Sequence, residues 1–188
     1  MQQKRHTDRE YEAELHRVRD NLLRMTGRVE QMIADSVRAV VEGDVGLAKR
    51  TVEDDHKVNR LEVDTDDLCL LILAKRHPLG SDLRFITLAM KMVTDLERIG
   101  DLCVNIAERA VALSGQRPTA FATVLSQIAD LDQSNLREAI EAFVARDAAG
   151  AEVVCAKDAE IDKIYWQIAQ EAQKAMGAGA EGVERGIH

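Results

Sequence analysis

Apolar residues recur three and four apart over most of the chain, the spacing of helices that each bury one face. Leu15, Val18, Leu22, Met25, Val29, Met32, Ile33, Val37 and Val40 carry the first stripe. It predicts helix 1 from about residue 8 to Glu42, opened by a capping box at Thr7-x-x-Glu10 and closed by Gly43. Asp44 is placed to cap helix 2, which runs to about Arg76 with Val58, Leu61, Leu68, Cys69 and Ile72 on its apolar side. His77-Pro78-Leu79-Gly80 is a break, and Ser81 or Asp82 is expected to cap helix 3, which reaches about Ser114. That helix carries two apolar faces. Ile86, Ala89, Val93, Leu96, Cys103, Ala107 and Ala110 form one; Leu88, Met92, Ile99, Leu102, Ile106 and Leu113 form the other. Helix 3 is therefore expected to be central, touching its own bundle on one side and another bundle or subunit on the other. After the break Gly115-Gln116-Arg117-Pro118, helix 4 runs from about Thr119 to Ala145, and Asp147 caps helix 5, which runs to about Met176. The fold class is all-α, and the short links make helices 1–3 an up-down-up bundle.

The chain also repeats itself. Ala39-Val40-Val41-Glu42-Gly43-Asp44 is echoed by Ala142-Phe143-Val144-Ala145-Arg146-Asp147, and Asp55, Val58, Asn59 and Leu61 by Asp158, Ile161, Asp162 and Ile164. Helices 4 and 5 thus repeat helices 1 and 2. Residues 8–114 form the first unit, 119–176 an incomplete second one without its third helix, and 177–188 a Gly-Ala-rich tail expected to be flexible. The apolar faces of helices 4 and 5 are expected to be incompletely covered, the mark of an interface. A second subunit completing this bundle is the expected remedy.

Within helix 3, Glu97-Arg98-Ile99-Gly100-Asp101 sets two carboxylates on one face, and Asn105 and Glu108 continue the stripe. Like charges at this spacing destabilise a helix by roughly 0.2–0.5 kcal/mol, so solvent, a basic partner or a cation must compensate. Helix 2 carries a matching row, Asp55, Asn59, Glu62 and Asp66. If the two helices pack, both rows face one groove. Oxygen-rich donors of that density suit Mg, Mn or Fe, and two solvated acidic faces would give the same pattern. Arg76, Arg84 and Arg98 either pair with these carboxylates or contact a partner.

Composition narrows the field. Aromatic residues make up only 3% and prolines number two, in keeping with long helices. The net charge of -8, with no dense basic patch, argues against nucleic acid. Cys69, Cys103 and Cys155 have no zinc-ligand spacing and read as small buried residues in a reducing compartment. No apolar leader precedes Asp20, and the longest apolar run, Leu68 to Ala74, is too short to span a bilayer. Enzymatic readings find little support. There is no GxxxxGK[ST] phosphate loop, and Glu53-Asp54-Asp55-His56 supplies one Glu-x-x-His where a di-iron carboxylate bundle needs two.

Four motifs occur together in order: Leu47-Ala48-Lys49-Arg50; Asp55-x-x-Val58-Asn59-x-x-Glu62; Ala74-Lys75-Arg76-x-Pro78-x-x-Ser81-Asp82-Leu83-Arg84; and Glu97-Arg98-Ile99-Gly100-Asp101. Over about residues 8–176 the chain resembles the PhoU family of bacterial phosphate-signalling regulators, shortened at its C-terminus. The resemblance implies tandem, spectrin-like three-helix bundles and multinuclear metal sites (Fe, Zn, Mn or Mg) on the acidic faces. Glu97 and Asp101 would be the leading ligands, joined by Asp55, Asn59, Glu62 and Asp66, with Asp158 and Asp162 as the acidic pair of the second repeat. It also implies a non-catalytic, cytoplasmic role, as a homodimer or higher oligomer. Such proteins restrain the phosphate ABC transporter through contacts with its ATPase and link it to the sensor histidine kinase. A metal-free helical adaptor is the alternative. The chain departs from the family pattern in having no second E/D-x-x-x-D helix, and Tyr165 and Ala169 stand where the repeat would place Glu62 and Asp66.

Overall fold

The first apolar stripe winds into α1 (Gln2–Glu42), followed by α2 (Val45–Arg76), α3 (Gly80–Ala112), α4 (Ala122–Ala145) and α5 (Ala148–Met176). The computed structural model describes residues 2–115 and 121–176; residues 116–120, Thr119 among them, and the tail 177–188 lie outside the described residues. Thr7 does not cap the first helix. Helix already runs from Gln2, because the residues preceding Thr7 include good helix formers and no breaker.

The turn after α1 is built as its sequence indicates. Gly43 takes a left-handed φ of 68°, which costs glycine little. The Asp44 amide donates back to the Ala39 carbonyl at 3.0 Å, and Asp44 Oδ1 accepts from the Leu47 amide at 2.9 Å. The turn between α4 and α5 repeats it bond for bond. Asp147 N reaches Ala142 O at 2.8 Å, and Asp147 Oδ1 accepts from Gly150 N at 3.0 Å. Here the left-handed residue is Arg146, at φ 59°. The internal repeat is therefore one of geometry as well as of letters.

Neither Ser81 nor Asp82 caps α3. Its N-cap is Leu79, with no side-chain cap bond. Asp82 is drawn instead into tertiary contacts, accepting from Tyr11 Oη at 3.1 Å and from Arg146 Nη2 at 3.0 Å. Phe85, one turn on, stacks on Phe143 with centroids 5.2 Å apart and lies under the Arg19 guanidinium.

Helices α1, α2 and α3 pack against one another around a core that includes Leu22, Met25, Val58, Ile72, Ile86 and Leu96. Helix α4 packs on α1, and α5 packs on α4. The central element is thus α1 and not α3. The reason is visible on α1 itself: besides its apolar faces it buries Glu30, which accepts a fork of hydrogen bonds from Arg137 of α4. The second face of α3 stays largely open, with Leu102 59% exposed. Among the described residues of α5, none is buried. No described helix is long and apolar enough to cross a membrane.

Candidate functional site

The acidic rows of α2 and α3 meet because α3 comes close to α2 at Gly100. A Cβ added there would lie 3.5 Å from both Asp55 Oδ1 and Val58 Cγ1. Just above this approach, Glu97 faces the carboxylates of Asp101, Glu62 and Asp55. Burial raises its own carboxyl above the usual range, and those three negative charges raise it further. Three of the expected ligands are therefore within electrostatic reach of a fourth, Glu97.

Asp55 and Asn59 form its floor. The Asn59 amide donates to Asp55 Oδ2 at 2.8 Å. The remaining oxygens, Asp55 Oδ1 and Asn59 Oδ1, are buried with no hydrogen-bond partner. Buried acceptors are nearly always satisfied, and two orphans side by side among carboxylates form a donor set that fits a cation. The set is not closed, however. Among the described residues no three His, Cys, Asp or Glu side chains stand close enough together to hold a metal ion. Asp101 is exposed.

The remaining expected residues are dispersed. Asp66 lies farther along α2, beside Cys69, whose thiol is pushed up to about 12 by burial and then by the Asp66 charge. Asp158 and Asp162 are exposed on α5, away from the first groove. Asp158 instead neighbours Asp132 of α4, whose carboxyl is raised by burial and by the Asp158 charge. Asp132 was not singled out in the sequence, although Ile128, Asp132 and Leu136 sit on one line of helix 4. Arg76 is engaged within the fold, clamped to Glu14 by two hydrogen bonds of 2.9 Å and to Glu10 at 3.3 Å. Arg98 is exposed, 3.8 Å from Asp95, and Arg84 is exposed near the start of α3. Of the three cysteines only Cys69 and Cys103 are buried. Cys155 is exposed, because its helix is covered on one side alone.

A PhoU domain profile matches residues 22–110 and 125–187. The phosphate-specific transport system accessory protein PhoU homolog of Pseudomonas putida is 41% identical over 162 residues, 85% of this chain and 63% of that relative. The chain thus spans less than two thirds of that relative's length. The accessory protein PhoU of Escherichia coli (strain K12) is 32% identical over 172 residues, 92% of this chain and 71% of the relative. The crystal structure of PhoU from Pseudomonas aeruginosa superposes with a TM-score of 0.87 at 36% identity, covering 94% of this chain and 85% of that one.

Proposed function

Because the chain belongs to the PhoU family, we propose that it acts without catalysis, as a metal-binding regulator of phosphate uptake and phosphate-starvation signalling. It would work at the cytoplasmic face of the membrane, by contact with the phosphate ABC transporter's ATPase and its sensor histidine kinase. The names of its relatives, accessory proteins of a phosphate-specific transport system, support the process. The observation that carries the metal reading is the orphaned pair of acceptors, Asp55 Oδ1 and Asn59 Oδ1, beneath Glu97 and Asp101.

In this reading Asp55, Asn59, Glu62, Glu97 and Asp101 would hold the ion, with the Asn59 amide also orienting Asp55. The ion supplies positive charge to a groove that otherwise concentrates negative charge. Relieving that repulsion tightens α2 against α3 and presents one defined surface to the partner. A metal-free adaptor is the second reading, favoured by the absence of a closed ligand set among the described residues. In it, a basic partner surface would neutralise the same carboxylates.

Metal content per chain after exhaustive dialysis, read by elemental mass spectrometry, separates the two. Tightly held transition metal supports the first reading. None, even after reloading, supports the adaptor. Asp101→Ala is expected to lower metal content and partner capture together. Metal loss with undiminished capture would uncouple the site from the contact.

A further inference from the structure

The outer side of α2 carries an apolar ridge that the bundle does not use. Val63 is 54% exposed, Leu71 42% and Leu79 83%. Asp67 and Lys75 stand between them, both exposed. The five residues follow one another at steps of four. Val63, Asp67, Leu71 and Lys75 therefore form a single ridge along the helix, and Leu79 follows in the turn to α3. The inner side of the same helix buries Leu61, Thr65, Leu68 and Ile72 in the core, so the ridge owes nothing to packing within the bundle. Among the described residues, neither Asp67 nor Lys75 makes an ion pair. Glu14, whose carboxyl Lys75 helps to lower, is already held by Arg76.

Read along the ridge, the order is apolar, acid, apolar, base, apolar. Turned end for end about Leu71, that order meets its own complement. Val63 falls opposite Leu79, Asp67 opposite Lys75, and Leu71 opposite its own equivalent. Each end lies ~12 Å from the centre at ~1.5 Å per residue. A surface that complements itself in this way is what a two-fold contact requires. Charge rejects the other simple arrangements. Parallel helices set Asp67 on Asp67 and Lys75 on Lys75. Antiparallel helices centred one step away, at either Asp67 or Lys75, set that residue on its own equivalent. Like charges so placed disfavour pairing.

We infer that α2 pairs with α2 of a second copy of this chain, antiparallel and centred on Leu71. Ridges at steps of four interlock at a crossing of about 50°, the commonest class of helix contact. The contact is short, ~24 Å from Val63 to Leu79, so the pair forms reversibly. A two-fold axis at right angles to α2 leaves both copies of α3 on the same flank. The two acidic grooves between α2 and α3 then open along one edge of the pair. The pairing goes beyond the regulator reading and does not depend on it.

Sedimentation velocity of the full chain, measured over a range of concentrations, reads the pairing. A monomer–dimer equilibrium is expected in the wild type. Leu71→Glu, at an exposed position, is expected to leave only monomer while circular dichroism and the urea midpoint are kept. Asp67→Lys and Lys75→Asp are each expected to weaken the dimer at least ~10-fold at low salt, because the two-fold makes every substitution count twice. The double variant Asp67→Lys, Lys75→Asp restores it. So does an equimolar mixture of the two single variants, in which both contacts again join opposite charges. A wild type that stays monomeric throughout the range overturns the inference. So does a dimer that survives Leu71→Glu, which would use another face. Single charge variants that pair as tightly as the wild type, or a double variant that stays as weak as the singles, overturn the assigned register and with it the inference.

Discussion

Glu97 shares its groove with Asp101, Glu62 and Asp55, and part of its carboxyl is out of water. A carboxyl raised in this way binds its proton more tightly in the folded chain than in the unfolded one. Its contribution to stability is fully present below the unfolded carboxylate range and is lost as pH rises through the higher folded value. In metal-free protein Glu97→Gln is therefore expected to raise the thermal midpoint at pH 7, with the gain shrinking as pH is lowered through the carboxylate range. Glu14 has the opposite sign. The hydrogen bond from Arg76 lowers its carboxyl, so its contribution is present at neutral pH and fades as pH falls through the depressed value. Gly100 gives a prediction of another kind. A methyl there meets Asp55 and Val58 at ordinary van der Waals distance, so Gly100→Ala should raise stability by roughly 0.5–1 kcal/mol, measured by urea unfolding. Asp44, Asp147 and the acidic row of α2 could be read from the chain because each acts through neighbours within one or two turns. Glu30 and Arg137 are 107 residues apart, and no local spacing announces their pairing. Asp132 was hidden differently: its apolar neighbours Ile128 and Leu136 draw attention to the core and away from the carboxylate between them.

The elements followed the apolar periodicity closely, and their ends followed the turn chemistry wherever glycine or a short acid stood alone. Order of packing was the harder matter. Two apolar faces on α3 suggested a central helix, yet α1 holds that place. Periodicity reports which faces are apolar and says little about which neighbour covers them. One end of the molecule shows how helices distant in sequence are fastened. Phe85 of α3 is buried, stacked on Phe143 of α4 and flanked by the guanidinium groups of Arg19 and Arg146. Phe85→Ala is expected to cost about 3–5 kcal/mol by chemical denaturation, the range for deleting a buried aromatic ring. Its loss would loosen α4 from α3 without touching the acidic groove, so the cation binding proposed at Asp55 and Asp101 should persist in the folded fraction.

Across the molecule, burial is uneven. Helices α1 to α3 enclose most of the core, whereas α5 leans on α4 alone. Hydrogen exchange is expected to divide accordingly, with the amides of α5 exchanging well before those of α1 and α3, because few buried contacts hold that helix closed. Mass-resolved exchange would show this, and uniform protection along the chain would contradict it. The same asymmetry bears on how the protein is made. The ribosome delivers α1, α2 and α3 first, and these three pack pairwise against one another, while Ala129 and Ile140 of α4 join the same core later. Synthesis at about 5–20 residues per second leaves seconds between the emergence of Glu30 and that of Arg137. During that interval Glu30 stands in water on the flank of a three-helix bundle, and the arrival of α4 is a docking event that completes the core. A nascent chain arrested after α3 should therefore already resist protease, with the carboxylate of Glu30 waiting for its guanidinium.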